Sequence, residues 1–98
     1  MFSFLYVIYA DTTNPVIRNC PTNQTIDTDP NAATGSTSWT PPTVDSTPTD
    51  PVTLVPSHQP GAALPVGLNP ITYRATDASG NQAVCMFWIN VRGEPSIM

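Results

Sequence analysis

The strongest pattern in the chain runs from Ile71 to Arg92. Ile71, Tyr73 and Ala75 alternate with Thr72, Arg74 and Thr76, and Cys85, Phe87, Ile89 and Val91 alternate with Met86, Trp88, Asn90 and Arg92. A period of two marks half-buried strands, so this stretch predicts a β-hairpin with one apolar face. Between its arms lies Asp77-Ala78-Ser79-Gly80-Asn81. Asp77 suits the first position of a type I turn, and Gly80 supplies the left-handed residue that rejoins the second arm.

The upstream runs are shorter. Pro15-Val16-Ile17-Arg18 reads as extended, and Pro21 keeps Cys20 out of helical geometry. Thr25 to Thr28 is a brief alternating strand, broken by Asp29-Pro30-Asn31. In the run from Gly35 to Thr40, Trp39 is the one large apolar side chain and is expected in the core. Pro41 to Pro51 carries four prolines with Val44 as its only aliphatic residue, and is expected to be a long connection. Its hydroxyls suit backbone satisfaction better than O-linked sugar. Val52 to Val55 predicts a strand, Gln59-Pro60-Gly61 a turn, and Ala63 to Gly67 an extended stretch that its proline confines to an edge or a bend. About seven short strands at intervals of ten or so residues predict a β-sandwich.

Composition sharpens this picture. With 98 residues the chain is one small domain. Twelve prolines and fourteen threonines exclude long helices and favour short strands. Three arginines and no lysine face seven carboxylates, which leaves no basic footprint for a nucleic acid. The two cysteines, with His58 as the one added candidate, are too few for a closed zinc site. A Cys20–Cys85 disulfide is the stronger reading, and a pair of buried free thiols the weaker. Asn23-Gln24-Thr25 is an N-glycosylation sequon, making Asn23 a candidate modification site.

Three stretches together resemble the hyalin repeat, or HYR domain: DTTNPVIRNCP at 11 to 21, SWTPPTVDS at 38 to 46, and PGAALPVGLNPITYRATDASGNQAVCMFWINV at 60 to 91. The Cys-Pro pair, the Trp followed by Pro and Asp, the Pro-Val-Gly, and the Tyr-x-Ala-x-Asp-x-Ser-Gly-Asn hairpin leading to Cys-x-Phe stand in the family's order. The resemblance spans residues 11 to 92. It implies an immunoglobulin-like all-β sandwich in a secreted or cell-surface protein, associated with adhesion and not catalytic, with Cys20 and Cys85 bridged. It brings no ligand residue and no cofactor.

The other chemical candidates are weak. Asp77, Ser79 and Asn81 offer oxygens at alternate positions, as a calcium loop begins, but no acidic residue closes the loop, and a turn is the better reading. Arg92-Gly93-Glu94 departs from an adhesion tripeptide by the extra methylene of glutamate and reads as a strand exit. Asp27 and Asp29 flank a strand end beside Pro30, where turns place aspartate, and His58 lies in a Pro-rich turn. Residues 93 to 98 read as the start of a next repeat or a linker, because Pro15 and Pro95 stand one repeat length apart. Residues 1 to 10 are too short for a membrane span and lack a basic start, so they read as the last strand of a preceding repeat, or else as a truncated signal.

The sequence therefore predicts an extracellular structural or adhesive module whose partners are neighbouring repeats and extracellular or cell-surface proteins. The competing expectation is a small secreted accessory domain that binds a ligand or glycan through the 41 to 60 loop. That loop has no aromatic residue, which weighs against it.

Overall fold

The structure, a computed structural model, describes residues 13–93. The readings of residues 1 to 10, and of the chain after Gly93, lie outside the described residues. Among the described residues eight strands follow one another: β1 (Ile17–Arg18), β2 (Gln24–Asp27), β3 (Thr34–Ser36), β4 (Thr43–Val44), β5 (Val52–Pro56), β6 (Ala63–Pro65), β7 (Gly67–Asp77) and β8 (Gln82–Arg92).

The expected hairpin is the spine of the molecule. β7 and β8 pair antiparallel from Gly67↔Val91 to Thr76↔Gln82, so two strands reach eleven residues where only short ones were anticipated. β5 adds antiparallel to β7 and β2 adds parallel to β8, giving a sheet of order β2-β8-β7-β5. Pro70 is tolerated inside β7 because the β5 ladder stops at Tyr73, so the far edge of β7 is unpaired there.

Two small antiparallel sheets, β1-β4 and β3-β6, complete the all-β arrangement, consistent with an immunoglobulin-like sandwich. Residues at alternate positions of the hairpin face inward: Ile71, Tyr73 and Ala75 from β7, and Cys85, Phe87, Ile89 and Val91 from β8 are all buried. Trp39 and Leu64 of β6 close over them, with Ile17, Ile26 and Leu54 packed at the margin. Trp39 is a core residue, as its isolation in a polar run suggested. Its indole Nε1 donates to the Tyr73 hydroxyl at 2.7 Å, and its ring meets Phe87 edge-on at 5.4 Å. The bond satisfies a polar atom that burial would otherwise leave unpaired.

The Pro41 to Pro51 stretch is more ordered than its composition implied. Thr43 and Val44 pair with Arg18 and Ile17, and Asp45 locks this pairing with a two-point ion pair to Arg18, Nε to Oδ1 at 2.8 Å and Nη2 to Oδ2 at 2.7 Å. Thr47 and Asp50 then exchange backbone bonds in a turn. The Ser46 and Thr47 hydroxyls accept the N–H groups of Val52 and Asp50. A two-residue strand thus stands where a plain connection was expected: Val44 pairs with Ile17, itself packed against the core, and the exposed Arg18–Asp45 pair lies across the ladder.

Gly35 is required for a steric reason. A Cβ there would lie 2.8 Å from the Asp27 carbonyl oxygen and 3.2 Å from Val91. Only glycine lets β3 pass this close over β2 and β8.

Two surface carboxylates tie fold stability to pH. The Ser36 hydroxyl, and then its backbone N–H, hold the Asp29 carboxyl below its ordinary range. The hydrogen bonds from Arg18 do the same for Asp45. Folded values below the unfolded one of about 4 mean that this stabilisation is complete above that pH and is lost as pH falls through the folded values. The melting temperature is therefore expected to drop on acidification below about pH 4, and Asp29→Ala and Asp45→Ala each to flatten that acid limb. Added salt should weaken the Arg18-dependent part and spare the part that depends on Ser36.

Candidate functional site

Asn19, in left-handed geometry at φ 61°, turns the chain out of β1 and delivers Cys20 to the sheet. Cys20 is bonded to Cys85 of β8 with their Cα atoms 5.8 Å apart. Cys85 is buried whereas Cys20 is exposed, so the bridge runs from the core to the surface and ties the segment just after β1 to β8. Neither residue is a free thiol.

At the hairpin tip the buried Asp77 carboxylate organises the loop. Its Oδ1 accepts the N–H groups of Ser79 and Asn81 at 2.9 and 2.8 Å, and its Oδ2 accepts the Asn81 side-chain amide at 3.0 Å. Gly80 closes the turn at φ 88°, its N–H donating to the Asp77 carbonyl. Asp77 and Asn81 are therefore brought together, but as acceptor and donor to each other. Ser79 contributes its backbone N–H and remains exposed. Among the described residues no group of three or more His, Cys, Asp or Glu could hold a metal ion.

The remaining candidates are separated. Asp27 pairs with Arg92 at 2.9 Å, which ties the end of β2 to the end of β8 and occupies the arginine of the Arg-Gly-Glu triplet. Asp29 is turned instead to Ser36. The Ser57 hydroxyl lies 2.8 Å from His58 Nδ1, a contact not foreseen in the sequence. That hydroxyl also accepts the Thr72 N–H, and the Ser57 N–H donates to the Thr72 carbonyl, so Ser57 prolongs the β5–β7 ladder past Pro56. No carboxylate is bonded to His58 among the described residues, so a base oriented by a third group is not assembled.

The most distinctive surface lies on the outward face of the large sheet. Val55, Leu68, Val84, Met86 and Trp88 are all exposed there, at positions that alternate with the buried set. Next to them is a groove of about 420 Å³ lined by Asn23, Gln24, Thr25, Leu68, Trp88 and Asn90. Asn23 is exposed, and its Oδ1 accepts the Trp88 backbone N–H at 2.8 Å, where the β2–β8 ladder begins. Sequence reasoning singled out Asn23 for its sequon alone. The parallel pairing that puts Trp88 beside it carries no local signal. Among the described residues no helix is long and apolar enough to cross a membrane.

Comparison with known proteins agrees with this architecture. Among curated proteins the chain is similar to sushi, von Willebrand factor type A, EGF and pentraxin domain-containing protein 1 of Rattus norvegicus and of Mus musculus. It is 35% identical to each over 75 residues, which cover 74% of this chain and 2% of either relative. The chain thus spans only a small part of the length of the curated relatives it matches. No solved structure gives a significant match. The family model described as the HYR domain matches residues 10–91, taking in both bridged cysteines and the hairpin up to Val91. The chain belongs to the HYR domain family.

Proposed function

We propose that this domain is a non-catalytic extracellular adhesion module, one bead of a larger protein, that presents its surface to neighbouring repeats and to extracellular or cell-surface proteins. The observation that carries this reading is the family match over residues 10–91. The named relatives support it, since each combines several kinds of domain and the matched region is a small fraction of either. The chemistry of the chain agrees: its polar side chains are used in turns, ladders and ion pairs. A disulfide that ties the segment after β1 to β8 suits a unit that must keep its shape outside the cell.

The test is parallel binding of the isolated oxidised domain to immobilised matrix proteins, to sibling repeats and to a glycan array. Binding to proteins or sibling repeats with a blank array is the expected result. Selective binding on the array alone would instead favour an accessory domain that recognises carbohydrate.

A further inference from the structure

We infer that Asn23 carries an N-linked oligosaccharide whose first sugar lies in the groove against Trp88 and Leu68. The inference rests on the extracellular reading above, because the modification requires passage through a secretory compartment. The geometry of Asn23 suits it. The group facing its amide is a backbone N–H, so the oxygen must point inward to accept, and Nδ2 occupies the other branch of the amide. Nδ2 is the atom that becomes glycosylated. In that step it bonds to the anomeric carbon of a lipid-pyrophosphate-linked oligosaccharide. The anomeric C–O bond breaks, the pyrophosphate leaves with the electron pair, and one amide proton passes to a base of the transferase. The amide oxygen is untouched, so the bond to Trp88 survives modification.

The surroundings explain what the sugar would do. Thr25, the hydroxyl residue of the sequon, is exposed on β2 and pairs with Asn90 on β8. Leu68 pairs with the same Asn90 from β7. A pyranose attached at Asn23 therefore sits at the mouth of a groove floored by an indole and a leucine, with Gln24, Thr25 and Asn90 as polar neighbours. The apolar face of a sugar ring covers exposed indole, and its hydroxyls meet the amides. β2 is also an edge strand of the sheet, and a bulky solubilising group there blocks pairing with another chain.

The test is expression of the full chain behind a cleavable secretion leader in eukaryotic cells, so that routing is supplied and the site alone is examined. Wild type and Thr25→Ser should carry a mass that peptide-N-glycosidase removes, while Thr25→Ala, which keeps the Asn23–Trp88 bond, should not. The chain has two tryptophans and Trp39 is buried, so acrylamide quenching reads Trp88. Stronger quenching in folded Thr25→Ala than in the glycosylated wild type is the expected result. Secreted wild type without glycan would overturn the site, and equal quenching in the two proteins would overturn the sugar's place on Trp88. Absence of the glycan from material of the natural source, with the leader-driven protein modified, would instead count against the extracellular reading.

Discussion

Replacing Cys20 and Cys85 together with serine is expected to lower the unfolding free energy by about 4 kcal/mol, the chain-entropy value for a bridge closing a loop of this length. The two residues are 65 positions apart, so the unfolded chain gains a great deal of freedom when the bond is gone. The folded side offers little to compensate. β1 has two residues, and its ladder to β4 is the two pairs Ile17↔Val44 and Arg18↔Thr43, reinforced at the surface by Asp45. Since small domains are stable by about 5 to 15 kcal/mol, this loss brings the protein near its limit. Urea titration of the oxidised wild type against the double variant measures the effect. Hydrogen exchange should then show β1 and β4 opening well before β7 and β8. Thiol titration of unreduced, denatured wild type should find no free cysteine.

Phe87→Ala is expected to cost about 3 to 5 kcal/mol, as for other buried phenylalanines. Phe87 is 1% exposed, at the centre of β8, with Ile71 opposite it on β7 and Trp39 in a T-shaped contact with its ring. Its removal empties the middle of the core and strips the aromatic contact from Trp39. The neighbouring Met86→Ala lies one position along the same strand but faces outward at 52% exposed, and should change stability by no more than about 0.5 kcal/mol. Thermal melts of the two variants read the inward and outward faces of one strand.

The hairpin was legible because its signal is local. Alternation from Ile71 to Val91 names the inward side chains directly, and Asp77 and Gly80 mark the turn by residue type. Features that depend on distant partners were not legible. Trp39 and Tyr73 are 34 positions apart, so the sequence could suggest that Trp39 is buried but not what satisfies its N–H. β4 is hidden in a proline-rich stretch because the Arg18–Asp45 pair that secures it spans 27 positions. The parallel pairing of β2 with β8 has no periodic trace, yet it sets Asn23 against Trp88 and Asp27 against Arg92. The need for glycine at position 35 leaves no mark in the sequence because the close pass of Asp27 and Val91 exists only in three dimensions.

The same division applies to candidate chemistry. Asp77 to Asn81 is legible as a turn, since an aspartate that accepts nearby N–H groups needs no remote partner. The outward row of Met86 and Trp88 is visible as the other half of the alternation, but its meeting with Leu68 and Asn23 is not. Surface recognition on a sandwich is assembled across strands, so it emerges only with the register.

Whether the folded shape of this module supports adhesion is read from retention of cells on a surface coated with the oxidised domain, beside one coated with the same domain reduced and alkylated. Retention on the first surface and its loss on the second is the predicted result. Equal retention on both surfaces, or none on the oxidised domain when it also fails to bind sibling repeats, would refute adhesion through the folded shape.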